Sequence, residues 1–153
     1  MNKYIDYYKS PIGYIRIEAN NKYLLSTKFV NRKGLTNKNE LTTVTKKQLE
    51  EYFTHKRKKF NLPIKLEGTD FQKKVWKELM KIKFGKTNTY KEISLKINKP
   101  NAYRAVGNAN SKNKFLIIIP CHRIINSNGK LGGYNSGVAK KEWLLKHERE
   151  FYE

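Results

Sequence analysis

The chain has one cysteine, Cys121, in 153 residues. A lone thiol has no intramolecular disulfide partner and cannot belong to a cysteine-rich metal site, so a disulfide-stapled scaffold and a zinc finger are both excluded. It fits a reducing compartment. Long apolar runs are missing as well. None reaches the roughly 20 residues that cross a bilayer, and the opening MNKYIDYYKS lacks the apolar core of a signal peptide. The expected location is the cytoplasm, with no membrane partner. Acidic residues are scarce, 13 against 33 Lys+Arg, which leaves a net charge of +20. That imbalance points to a polyanionic partner, nucleic acid before a membrane surface, because no basic amphipathic helix stands out. Lys outnumbers Arg 27 to 6 and Asn reaches 16, a skew that AT-rich coding alone could produce. The local bias is therefore the better guide: residues 86–123 carry eight basic side chains against Glu92 alone.

With 38% hydrophobic and 12% aromatic residues, the chain can bury a core. Residues 4–8, 14–18 and 23–30 read as three strands of an antiparallel meander. The turn Ser10-Pro11-Ile12-Gly13 joins the first pair and Asn20-Asn21 the second. Thr45 and Gln48 have capping-box spacing and predict a helix from there to about His55, with Leu49, Tyr52 and Phe53 on its inner face. The run Lys56-Arg57-Lys58-Lys59 reads as solvated surface, and the stretch 60–68, with Pro63, as a linker.

From Thr69 the pattern turns helical. Thr69 and Gln72 form a second capping box, with Phe71, Val75, Trp76 and Leu79 as a core stripe. Thr89 and Glu92 cap a short helix, and another follows over residues 101–110 after Asn98-Lys99-Pro100. Two short helices in a basic segment read as a helix-turn-helix. In the second of them Ala102, Ala105, Val106 and Ala109 are placed on one face, with Gly107 inside and Arg104 as the one long cation. Such a face serves either packing against the partner helix or close approach to a nucleic-acid groove. A last helix is predicted over about 138–148, with Glu148 four residues beyond Leu144 on a side that buries leucines.

The stretch that organises the rest is Ile117-Ile118-Ile119-Pro120-Cys121-His122-Arg123. The apolar run 115–119 suits a short buried strand, and Pro120 should turn the chain so that the thiol stands at the end of a core element. A buried cysteine can simply be a small hydrophobe. His122 beside it favours chemistry. Adjacent side chains diverge, so a bridging water would link thiol and imidazole, with Glu148 holding the other ring nitrogen. An electropositive setting that includes Arg123 is expected to lower the thiol pKa.

The strings FQKKVW (71–76), FGKTNTY (84–90), RAVGNANSKN (104–113), IPCHRII (119–125) and GGYNSGVAKKEWLLKHE (132–148) closely resemble the O6-alkylguanine-DNA alkyltransferases, the methylated-DNA–protein-cysteine methyltransferases. The resemblance is dense from Gly68 to Glu148 and weaker before it. It implies an α+β chain: an RNase H-like α/β domain over residues 1–66, then a helix-turn-helix domain over 67–153 that carries DNA binding and the active site. It further implies a cytoplasmic, DNA-associated monomer without metal or cofactor. Such a protein binds double-stranded DNA through the minor groove, extrudes an alkylated guanine (or O4-alkylthymine) and takes the alkyl group irreversibly onto Cys121. By the same resemblance His122 and Glu148 are the water-linked base and its orienter, Tyr90 donates a proton to guanine N3, and Asn113 braces the active-site turn. Arg104 enters the gap in the base stack, with Ala102, Tyr103, Ala105 and Asn110 along the groove. Ile124, Tyr134 and Asn135 line the base pocket. Tyr103, Lys114 and Asn135 depart from the usual pattern, which leaves tolerance for bulky adducts open. Two other readings stand beside this one. A non-enzymatic lesion-binding relative would lack the nucleophile, and a Cys–His hydrolase would have no use for the basic helix pair.

Overall fold

Ser10 closes the first turn by donating from Oγ to the Gly13 carbonyl at 2.6 Å, and Gly13 takes φ +127°. Strands β1 (Tyr4–Ser10), β2 (Gly13–Ala19) and β3 (Leu24–Val30) form one antiparallel sheet in that order. Alternation along β2 sends Ile15 and Ile17 inward, where Leu24 of β3 and Leu49 and Tyr52 of helix α1 (Glu40–Phe53) complete a buried core. The computed structural model describes residues 2–151. It divides into two units, one running up to Lys65 and including Lys114–Leu116, the other holding Leu66–Asn113 and the chain from Ile117 onward.

Helix α1 starts earlier than its sequence predicts. Asn39 is the N-cap, accepting from the Thr42 amide while Thr42 Oγ1 accepts from the Asn39 amide. Thr45 lies buried inside the helix, its hydroxyl donating back to the Leu41 carbonyl at 2.8 Å. Thr–x–x–Gln spacing also occurs within a helix, and an Asn–x–x–Thr box is the less familiar signal. The stretch 60–68 is mostly irregular, yet Ile64 bridges Leu24 in parallel and the Leu24 amide donates to the Pro63 carbonyl at 2.8 Å.

The run 115–119 is not a strand. Phe115 makes an isolated bridge to Thr27, Leu116 donates to the Thr27 carbonyl at 3.1 Å, and Thr27 Oγ1 donates to the Leu116 carbonyl at 2.9 Å. The chain then turns at Ile117, whose φ of +74° is one that β-branched residues rarely adopt. An unbroken apolar run reports burial; it does not distinguish a ladder from a buried turn.

The second unit holds α2 (Asp70–Met80), β4 (Asn88–Thr89), α3 (Tyr90–Lys96), α4 (Tyr103–Ser111), a 3-10 turn (Cys121–Arg123), β5 (Ile124–Ile125) and α5 (Val138–Arg149). Capping boxes at Thr69 with Gln72 and at Thr89 with Glu92 open α2 and α3. Trp76 on α2 donates its indole N–H to the Ala109 carbonyl of α4 at 2.9 Å, which ties these helices through a buried polar contact. Val75, Leu79, Ile93, Val106, Ile119, Ile124 and Leu144 fill this unit's core.

Candidate active site

A parallel pairing places the site. Asn88 and Thr89 of β4 register with Ile124 and Ile125 of β5. Tyr90 immediately follows β4, and Cys121 lies three residues before β5. The turn around Cys121 is braced from behind: the Cys121 amide donates to the Ile119 carbonyl at 2.7 Å, and Asn113 Nδ2 donates to the same carbonyl at 2.9 Å. Asn110 Nδ2 reaches the Cys121 carbonyl at 3.5 Å, the limit of a hydrogen bond, and its Oδ1 is buried without a partner. Cys121 therefore sits on a 3-10 turn, not at a strand end.

Glu148 is the buried anchor. Its carboxylate accepts from His122 Nε2 at 2.6 Å, from Arg123 Nε at 2.8 Å and Nη2 at 3.1 Å, and from the Gly85 amide at 3.2 Å. Burial alone would raise its pKa, but the imidazole and guanidinium override that and hold the carboxyl well below the usual carboxylate range. Arg123 also donates to the Ile82 carbonyl at 2.7 Å and lies over the Phe84 ring. His122 is fully buried, and burial lowers its pKa despite the carboxylate, which favours the neutral imidazole. A neutral ring that donates from Nε2 has a lone pair on Nδ1, and that atom is buried with no hydrogen-bond partner.

Cys121 is a free, buried thiol. Burial pushes its pKa up to about 11, against the opposing pull of the Asn113 side chain and the Lys141 charge. The sequence expectation of a depressed thiol pKa is overturned: burial outweighs the groups that favour thiolate, and the Arg123 guanidinium is bound to Glu148. The resting group is the thiol, so reaction requires a base. Burial and the neighbouring Cys121 likewise raise the pKa of Tyr90 and, further, of Tyr134, keeping both as phenols. The Tyr134 hydroxyl is buried and unpartnered. Gly132 passes so close that a Cβ there would lie 3.2 Å from the Tyr90 hydroxyl, and its φ of +75° also favours glycine.

Helix α4 presents a different surface. Arg104 is exposed and makes no hydrogen bond or ion pair among the described residues, and Tyr103 is 41% exposed beside it. Ala102, the N-cap residue, is half-buried. The four small residues do not share one face: Val106 and Ala109 point inward, whereas Ala105 is exposed with Arg104. A Cβ on Gly107 would meet the Tyr90 ring at 3.6 Å, an ordinary contact, so packing alone does not demand glycine there.

Two family models match the chain. The 6-O-methylguanine DNA methyltransferase DNA binding domain covers residues 70–150, and the ribonuclease-like domain of the same proteins covers residues 3–66. The chain belongs to this family. A methylated-DNA–protein-cysteine methyltransferase of Methanosarcina barkeri is 49% identical over 153 residues, spanning 95% of this chain and 96% of the relative. The crystal structure of Mycobacterium tuberculosis O6-methylguanine methyltransferase superposes with a TM-score of 0.90 at 34% identity, covering 99% of this chain and 96% of that one. A structure of the M. tuberculosis protein in complex with DNA gives 0.88 at 37% identity, over 95% and 92%. The α+β architecture, a small antiparallel sheet followed by a helical part, is that of these family members.

Of the residues singled out from sequence, His122 and Glu148 are joined by a direct bond, Asn113 braces the turn that carries Cys121, and Cys121 is near enough to Tyr90 to raise its pKa. Tyr134 joins them, and Ile124 is buried two residues beyond His122. Asn135 is exposed and its side-chain amide bonds to the Ser111 carbonyl, so it ties its loop to the end of α4. Two residues were given too little weight. Arg123 is the structural partner of Glu148. Lys141, fully buried on α5, was not singled out at all, although its place seven residues before Glu148 puts it on the same helix face. Among the described residues no group of three or more His, Cys, Asp or Glu could hold a metal ion.

Proposed function

We propose that this family member repairs DNA by moving the alkyl group from O6 of a flipped guanine, or O4 of a thymine, to its own Cys121, once per molecule. The observation that carries this reading is the buried relay: a sole thiol, a neutral His122 with an unpartnered Nδ1, and Glu148 fixing Nε2–H on the far side. The Cys121 proton passes to His122 Nδ1 through a bridging water. The sulfur then attacks the alkyl carbon, forming S–C as C–O6 breaks, and the bond's electron pair goes to the guanine. Tyr90, held as a phenol, gives its proton to guanine N3 and is reprotonated from the imidazolium, so the thiol proton ends on the base. The product thioether has no leaving group that water displaces readily, which makes the reaction stoichiometric without a cofactor.

Duplex DNA would be held along α4, at the minor groove. Arg104 is free to fill the gap left by the extruded base, and the exposed Ala105 lets the backbone approach. The eight cations of residues 86–123 supply phosphate attraction. Ile124, Tyr134 and the 131–133 loop would enclose the base. The protein acts as a monomer in the cytoplasm on this reading. Incubation with excess O6-methylguanine duplex should add one methyl group, on the peptide containing Cys121, and then stop. Release of more than one equivalent of demethylated DNA per chain contradicts the stoichiometric step, and methylation elsewhere contradicts the nucleophile.

A further inference from the structure

Helix α4 opens differently from its neighbours. In α2 and α3 the N-cap amide is taken by a side chain three residues on, Thr69 by Gln72 and Thr89 by Glu92, each at 3.0 Å. In α4 the N-cap is Ala102 and the third position beyond it is Ala105, so neither half of a capping box exists there. The missing acceptor comes from the preceding helix. Ser94, fully buried on α3, accepts the Ala102 amide on Oγ at 3.2 Å and donates its own hydrogen to the Lys99 carbonyl. The Lys99 amide returns to the Ser94 carbonyl at 2.9 Å, and Asn98, at φ +61°, turns the chain between them.

A serine inside a helix ordinarily bonds back to its own turn or faces solvent. This one commits its hydroxyl to the connection with α4. Four residues before it, on the same face of α3, stands Tyr90, whose ring a Cβ on Gly107 of α4 would meet at 3.6 Å. The Ser94 hydroxyl thus holds the start of α4, the Tyr90 ring lies against it further along, and the exposed Arg104 leaves the helix between the two. Because the cap is supplied from behind, the outer side of the first turn is left to the small Ala105, with no polar capping side chain in the way of a groove.

We propose that Ser94 is a positioning residue for the flipped-base reaction. Its hydroxyl fixes the first turn of α4 against α3, and so holds Arg104, which fills the base stack, at the reach from Tyr90 that lets both act on one nucleotide. The assignment deepens the repair reading and rests on it, since Arg104 must be the residue that enters the DNA.

The experiment compares Ser94→Ala with the unaltered protein in three reactions: single-turnover transfer from O6-methylguanine duplex, reaction with free O6-benzylguanine, and alkylation of Cys121 by iodoacetamide. The duplex rate constant should fall about tenfold, the order of one buried hydrogen bond, while the two reactions that need no extrusion stay within about twofold. In an Arg104→Ala background, Ser94→Ala should add less than about twofold to the duplex loss, because it acts through Arg104. Equal loss on duplex and free base, an unchanged duplex rate, or losses that multiply in the double variant each overturn the proposal. The Val106 amide donates to the Ala102 carbonyl at 2.8 Å, so its hydrogen exchange should quicken in Ser94→Ala while that of Lys112, at the other end of α4, does not. Unchanged exchange at Val106 overturns the proposal equally. Should Ser94→Ala not fold, Ser94→Cys, near in volume with a weaker donor and acceptor, carries the same comparisons. An unaltered protein that transfers no methyl group from duplex removes the repair reading and this assignment with it, whereas the other outcomes remove only the part given to Ser94.

Discussion

Replacing Glu148 by Gln keeps its shape and removes its charge. The carboxylate accepts four hydrogen bonds from His122, Arg123 and the Gly85 amide. An amide has one acceptor oxygen, so its NH2 must face a donor, and the buried Arg123 guanidinium loses its counter-ion. Breaking one side of a buried pair typically costs about 3–5 kcal/mol, a large share of the roughly 5–15 kcal/mol that holds a domain folded. The sign of the pH dependence follows from the lowered carboxyl pKa. The stabilisation is fully present above the unfolded value of 4.5 and is lost as pH falls toward the folded value. In that window each pH unit removes about 1.4 kcal/mol. Urea unfolding should therefore show Glu148→Gln less stable by about 3–5 kcal/mol at pH 7, and the gap should narrow by about 2 kcal/mol on going to pH 3. A gap below about 1 kcal/mol at pH 7, or one equal at both pH values, refutes the ionised, saturated carboxylate. Methyl transfer should fall in parallel, because the variant no longer fixes Nε2–H of His122.

Arg104→Ala should slow repair of methylated duplex strongly while leaving reaction with free O6-benzylguanine nearly unchanged, since the free base needs no extrusion; Arg104→Lys should restore only part of the duplex rate because an ammonium does not stack as a guanidinium does. Equal loss on both substrates in single-turnover assays would assign Arg104 to the fold instead. Gly132→Ala places a Cβ 3.1 Å from Asn126 Oδ1 and 3.2 Å from the Tyr90 hydroxyl at positive φ. It should lose about 1–2 kcal/mol of stability and slow transfer more than it slows iodoacetamide, and a rate ratio unchanged from that of the unaltered protein would show that Tyr90 is not displaced.

Local signals were read where the physics is local. The turn Ser10 to Gly13, the capping boxes at Thr69 and Thr89 and the inward stripe of α2 each depend on a few adjacent residues, and each stands where its spacing puts it. Periodicity put Glu148 on the side of its helix that buries leucines, but the partners that let a carboxylate be buried there, Arg123 and His122, lie more than twenty residues away in sequence. The run 115–119 was misread because its apolarity reports burial, whereas its path is set by Thr27, far away in the chain. The thiol pKa departs from its expectation because burial of Cys121 outweighs the nearby charges, and nearness of Arg123 in sequence tells neither the burial nor which anion claims the guanidinium. Lys141 passed unnoticed because a lysine beside another lysine looks like solvated surface until its acceptors, two loop carbonyls, are seen.

The three residues Lys114–Leu116 have a consequence for how this chain can be divided. They belong with the first unit, exchanging backbone bonds with Thr27, although Asn113 before them and Ile117 after them belong with the second. Neither unit is a single stretch of sequence. A protein cut after residue 66 would strand Phe115 and Leu116 without their β3 partner, only five residues ahead of the nucleophile. Modular inheritance of the carboxy-terminal half by simple gene truncation thus requires a compensating change at this one point of return, and a split version of the protein would have to reassemble before its active-site turn regained the lead-in it has here.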